Sequence, residues 1–319
     1  MGLIGKAAIF GAAGAMGPHV GGEFDRRGIP VRVVGRSRKK LERVFAGNPH
    51  VEIFEADLMD LRSASAAARG IDTIIFLAGQ PLQHHSRLPQ LMRTTVQAAT
   101  AMQVKRIVMV SSVWAYGVPR TARVAESHPL EPGTQKGRYR KEEEDVLLEA
   151  HAAGKVQGAI LRLPDFYGPG ADSSMAMPVF EAALAGKTAN WIGPVQTKHE
   201  FFFVPDAGPV IADLAERADC YGQAWNLGGA GAIDTLDFIT RIYRAAGRAP
   251  RYRSAGGTMV RMLAWFHPIL RELQELYYLL ETPVILDDSK LLEKLGNVRK
   301  TSYDDGIRQT MEWLQRNRS

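Results

Sequence analysis

The chain has 319 residues, 45% hydrophobic and 23% charged, as suits a globular protein with a large domain and a smaller lobe. Its 40 Lys and Arg against 34 Asp and Glu leave a net charge of +6, spread along the chain. That pattern excludes the long basic stripe of a nucleic-acid surface and fits an anionic small ligand. A single cysteine, Cys220, excludes an internal disulfide and implies a reducing compartment, the cytoplasm.

The N-terminal residues lead straight into a strand without a signal-peptide pattern. Apolar runs at 6–10, 31–35, 51–56, 73–78, 106–111 and 158–163 read as strands, with helical spacing between them. Strand and helix in alternation predict an α/β fold, a Rossmann-type doubly wound parallel sheet. After Pro164 the rhythm breaks at turns rich in Pro and Gly; 201–204 and 224–227 read as isolated strands. Helices are expected at 234–246, 258–281, 289–295 and 302–316. The expected division is a dinucleotide-binding domain over 1–164 and a mainly substrate-binding lobe over 165–319, with parts such as 199–232 returning to the first domain. The stretch 258–280 is apolar, but Arg261, His267, Pro268, Arg271, Glu272 and Glu275 interrupt it too often for a membrane span. It reads as an amphipathic cover over a cleft or as a homodimer contact, ahead of membrane-surface attachment. Its Met259, Met262, Leu263, Trp265, Phe266, Tyr277 and Tyr278 fit an apolar ligand or simple core packing.

Gly11, Gly14 and Gly17 follow the first strand and open the first helix. Glycines there allow a tight turn and close approach of a pyrophosphate, and the helix N-terminus offers free N–H groups. Ala13, Ala15 and Met16 complete the turn. The second strand ends at Arg36, where a site for NAD usually carries Asp or Glu. A carboxylate would repel the 2′-phosphate of NADP and an arginine pairs with it, so NADP is the expected cofactor, ahead of NAD.

The 11/14/17 glycine spacing resembles the turn of the extended short-chain dehydrogenase/reductases, the epimerase/dehydratase-like superfamily. Asp57-Leu58 resembles its adenine-contacting pair, and Leu77-Ala78-Gly79 the end of its fourth strand. Ser111-Ser112-Val113-Trp114-Ala115-Tyr116-Gly117 resembles its Ser-Ser-x-x-x-Tyr-Gly, which implies Ser112 in the catalytic Ser/Thr slot. The stretch from Arg162 to Gly170 resembles Arg-x-x-Asn-x-Tyr-Gly-Pro-Gly, with Asp165 in place of Asn. Further matches lie at Phe201 to Asp206, at Asp287 to Lys290 and at Leu295-Gly296. The resemblance implies Pro164 and Phe166 against the cofactor and Gln80, His84, Trp114, Tyr167 and His199 toward a substrate. It implies an NADP-dependent oxidoreductase acting on a small organic carbonyl, alcohol or enone; a nucleotide-sugar epimerase or dehydratase is the alternative enzyme.

The catalytic pair departs from the family. Counting back from Glu144, the tyrosine slot of Tyr-x-x-x-Lys falls on Lys136 and the lysine slot on Arg140. Three readings stay open. Tyr139, one helical turn away with Arg140 and Lys141 nearby, exchanges the proton; or Lys136 does, its pKa lowered by desolvation; or the protein is a non-catalytic NADP-binding redox sensor. His84 and His85 are adjacent and point in different directions, so at most one acts. His199 is a candidate to contact substrate or titrate near neutral pH. No cluster at metal-ligand spacing is present, so no metal is expected.

Overall fold

The computed structural model describes residues 4–48, 50–265 and 268–318. Phe266 and His267, named above, lie outside them.

Six strands alternate with five helices: β1 (Ala7–Phe10), α1 (Gly17–Arg26), β2 (Val31–Gly35), α2 (Arg38–Val44), β3 (Val51–Glu55), α3 (Leu61–Ala68), β4 (Thr73–Phe76), α4 (Leu88–Ala101), β5 (Arg106–Ser112), α5 (Gln135–Ala152) and β6 (Gln157–Leu163). Side-chain alternation divides the strands between two cores. Ala7, Ile9, Val31, Val33 and Val108 face one side with Val20 and Phe24 of α1, while Ala8, Phe10, Val34, Ile74, Phe76 and Met109 face the other with Leu91 and Met92 of α4. Both faces being covered, the strands carry no polar face and read as continuous apolar runs.

The C-terminal half adds β7 (Asp165–Tyr167), α6 (Met177–Leu184), β8 (Ala189–Ile192), β9 (Lys198–Phe203), α7 (Ala207–Ala215), β10 (Gln223–Asn226), β11 (Ala232–Asp234), α8 (Thr235–Ala245) and β12 (Tyr252–Ala255). After these come α9 (Gly257–Leu263), α10 (Pro268–Gln274), α11 (Tyr278–Glu281), α12 (Ser289–Leu295) and α13 (Tyr303–Arg318). Two expectations are corrected here. The run at 224–227 is not an isolated strand: as β10 it pairs in parallel with β6 and becomes the seventh strand, giving the order β10-β6-β5-β4-β1-β2-β3. The run at 201–204 belongs to β9, the middle strand of a small sheet with β7 and β11.

The expected helix over 258–281 is three short helices. Pro268 lacks the N–H a helix interior needs, so it opens α10 instead of continuing α9. An aromatic core holds the lobe, with the Phe201 and Phe238 rings 4.4 Å apart at 14° and Tyr167 among Phe180, Phe203 and Tyr303. Met16 and Phe166 pack against both this core and the α1 side of the large sheet, so the glycine turn lies at the junction of the two.

Candidate active site

The glycine turn is built from three different constraints. Gly11 has φ +83°, and a Cβ there would sit 2.6 Å from the Ala78 backbone; one on Gly17 would sit 1.8 Å from the Ala12 carbonyl oxygen. These two glycines are required by the fold itself. At Gly14 an added Cβ meets only the Gly11 carbonyl oxygen, at 3.3 Å, so the space above it is left free by the protein. No side chain caps the start of α1, where Pro18 occupies the first turn. Open space beside an uncapped helix N-terminus fits a dinucleotide pyrophosphate. Arg36 follows β2, is exposed, and has no ion pair among the described residues. Asp57 is exposed with its carboxylate accepting from the Met59 N–H at 3.0 Å, and Leu58 is buried beneath it. Leu77 and Ala78 are half-buried against the turn and Gly79 is exposed.

Helix α5 is locked to the sheet by a buried polar network. Glu144 accepts from Ser111 Oγ at 2.5 Å and from Arg162 Nη2 at 2.6 Å. Arg162 Nη1 donates to the Tyr116 hydroxyl at 3.0 Å, which in turn donates to Asn226 Oδ1 at 2.7 Å. The network joins β5, α5, β6 and β10. Close approach completes the fit, since a Cβ on Gly137 would lie 2.8 Å from the Trp114 carbonyl oxygen. Lys136 and Arg140 therefore lead α5 toward the end of β5, where Ser112 Oγ is buried without a hydrogen-bond partner among the described residues.

Lys136 is buried and its ammonium donates to Glu272 at 2.7 Å and to Glu275. Glu275 also accepts from the Gln135 N–H at 2.9 Å and the Lys136 N–H at 3.3 Å, so it caps α5 from the cover helices. Burial alone would lower the Lys136 pKa, but the bonds to Glu272 and Glu275 outweigh it and raise it. The expectation of a lowered Lys136 pKa is thus corrected: desolvation is overcompensated by two carboxylates that lie more than 130 residues away in sequence.

The cations beside Tyr139 are engaged elsewhere. Arg140 donates to Glu143 at 2.6 Å and Lys141 to Asp145 at 2.7 Å, while Tyr139 itself is half-buried. Glu143 is fully buried; burial lifts its carboxyl to about 7 against the pull of Arg140, with the Glu144 charge adding to the rise. Arg140 Nε and Glu143 Oε1 have no partner among the described residues.

Several substrate candidates sit differently from expectation. His84 is exposed; the buried neighbour His85 faces inward, its ring 5.3 Å from half-buried Trp114 at 33°. Burial, then the nearby Arg140 charge, brings His85 down to about 4. His199 is buried against Phe201 and the Leu280 carbonyl, and burial lowers it to about 4, so it does not titrate near neutral pH. Tyr167 is 1% exposed inside the lobe core, where its apolar neighbours raise its pKa, rather than facing a cleft. Gln80 stays half-buried beside His85, and Pro164 is buried. Of the pair His84 and His85 the sequence reading took His84 toward the substrate, and it missed Glu143, Glu272 and Glu275; only Glu143, three residues after Arg140 on one helix, carried a local signal. Among the described residues no cluster of potential metal ligands occurs, and no helix is long and apolar enough to cross a membrane.

A doubly wound sheet with a glycine turn at its first helix defines a nicotinamide-dinucleotide-binding protein. The family model described as NAD(P)H-binding matches residues 11–154. A dTDP-glucose 4,6-dehydratase from Actinoplanes is 25% identical over 225 residues, 70% of this chain and 64% of that protein. A UDP-glucose 4-epimerase from Lactobacillus helveticus is 25% identical over 186 residues, 53% of this chain and 54% of that protein. The chain thus spans between half and two thirds of these relatives. A solved dTDP-glucose 4,6-dehydratase from Streptomyces venezuelae, with NAD bound, superposes with a TM-score of 0.81 at 20% identity, covering 98% of each chain. Residues 11–154 thus match an NAD(P)H-binding family, and the chain is similar to proteins of the epimerase/dehydratase-like part of the extended short-chain dehydrogenase/reductase superfamily.

Proposed function

We propose that the protein is an NAD(P)-dependent enzyme of the nucleotide-sugar epimerase or dehydratase kind, acting at a carbinol carbon of the sugar. The curated relatives carry this reading, since each is named for 4-epimerase or 4,6-dehydratase chemistry. A small carbonyl or enone as substrate finds no support among them. Gly11, Gly14 and Gly17 hold the pyrophosphate, Asp57 and Leu58 the adenine, and Arg36 selects NADP over NAD. The cofactor supplies the hydride acceptor and donor. Ser112 donates to the substrate oxygen, and the free Nε of Arg140 meets the ribose from the lysine slot. Lys136, kept protonated, holds the cover helices over the site and adds positive charge beside the substrate. The test is turnover of UDP-glucose and dTDP-glucose by the cofactor-loaded protein, followed by product analysis. Bound cofactor with no conversion of either would refute it and favour a sensor.

A further inference from the structure

We propose that Asp165 is the catalytic group that takes the substrate proton, a carboxyl just past the strand that pairs with Ser112, in place of a tyrosine at position 136 of α5. The inference rests on the reading above, hydride exchange at a carbinol carbon.

Ser112 closes β5 and is the register partner of Leu163, the last residue of β6. Asp165 follows Leu163 by two. Pro164 lies between them and Asp165 opens β7 of the small sheet, so two residues at about 3.3 Å each, from a strand about 4.8 Å from Ser112, keep the two Cα atoms within about 12 Å. The next residue, Phe166, packs with Met16 of the glycine turn, and His19 of α1 meets the Pro169 carbonyl at 3.3 Å. Asp165 thus lies where the end of the sheet, the cofactor turn and the lobe converge.

Asp165 is half-buried, and its carboxyl has no hydrogen-bond or ionic partner among the described residues, although a polar group withdrawn from water is almost always paired. Of the titratable groups on the elements around it, His199 of β9 bonds the Leu280 carbonyl, Glu200 of β9 accepts from the Leu286 N–H, His19 meets the Pro169 carbonyl, and the Tyr167 hydroxyl is buried in the lobe core. Burial alone lifts the carboxyl to about 6. Such a group is mostly ionised at neutral pH and still a competent acid for the return step.

In the oxidative direction the substrate O–H breaks and its proton passes to an Asp165 oxygen. The O–H electron pair becomes the second carbon–oxygen bond, and the carbinol hydrogen leaves with its pair as hydride to the oxidised nicotinamide dinucleotide. The reverse step returns both. Lys136 cannot take that proton while Glu272 and Glu275 keep it charged.

Two measurements test the assignment. With UDP-glucose or dTDP-glucose, the wild-type kcat/KM should fall on an acid limb near pH 6. Asp165→Asn should lose that limb and about 100-fold or more in kcat, with NADPH affinity unchanged; Asp165→Glu should restore part of the rate. A wild-type rate and limb in Asp165→Asn overturns the assignment and leaves the proposed function standing. If wild-type protein converts neither sugar nucleotide, the proposed function fails, and NMR titration of protein labelled at its aspartate carboxyl carbons still decides the point. The signal lost in Asp165→Asn should titrate near 6; titration at the ordinary aspartate value of about 3.9 overturns the proposal.

Discussion

Lys136 and Glu272 are 136 residues apart in the chain and meet in an ion pair of 2.7 Å. With Glu275 joining, α5 and the cover helices are tied at the position where the family resemblance implies a tyrosine. The pair is nearly buried on the lysine side, at 8% side-chain exposure, so removing one partner leaves charges without a counterion. Lys136→Met should therefore release the segment 257–281 to limited proteolysis and lower turnover by about 100-fold. Tyr139→Phe should leave both nearly intact. Equal effects from the two substitutions would contradict the assigned register.

In the proposed reading cofactor choice turns on Arg36. Its exposed guanidinium follows β2 with no ion pair among the described residues, available to a 2′-phosphate. Arg36→Ala should weaken NADPH binding by about 1–3 kcal/mol, the scale of a lost hydrogen bond to a charged group, and leave NADH nearly unchanged. Calorimetry with both cofactors checks this, and an equal loss for the two would remove Arg36 from the site.

The glycine turn separates fold from ligand. Gly14→Val should abolish dinucleotide binding while the melting temperature holds, because its Cβ space is free of protein apart from the Gly11 carbonyl. Gly17→Ala should destabilise the chain outright, since its Cβ collides with the Ala12 backbone. Thermal melts and titration of each variant with NADPH distinguish the two roles.

Glu143 gives a pH signature. Its folded carboxyl is raised to about 7 from 4.5. The folded state therefore binds a proton that the unfolded state releases, and this contribution is complete below about pH 4.5 and lost as pH rises through 7. Glu143→Gln removes that dependence. Between pH 4.5 and 8, urea unfolding should move in favour of the variant relative to wild type by up to about 3 kcal/mol. A constant difference across that range would show that Glu143 titrates normally.

The first half of the fold was legible because apolar runs on a sheet covered on both faces need no partner outside the βα repeat. The glycine turn was legible because short spacing fixes it, whereas Ser112 was named only through the resemblance of its motif. The rest depends on distant pairing. β10 resembles any short apolar run until β6 offers it an edge, and the charge of Lys136 is set by Glu272 and Glu275 from the far end of the chain. His84 and His85 share one local sequence, and only packing against Trp114 tells which turns inward. Pro268 was visible, but the apolar pattern around it masked the break it makes in the helix.

The most direct test of the account follows the hydride itself. Protein loaded with oxidised NADP is mixed with UDP-glucose or dTDP-glucose deuterated at the fourth carbon of the sugar, and the cofactor is extracted and examined by mass spectrometry. The account predicts deuterium on the nicotinamide ring during turnover with at least one of them, and none in Gly14→Val. Cofactor that stays bound and unlabelled with both sugar nucleotides would contradict it.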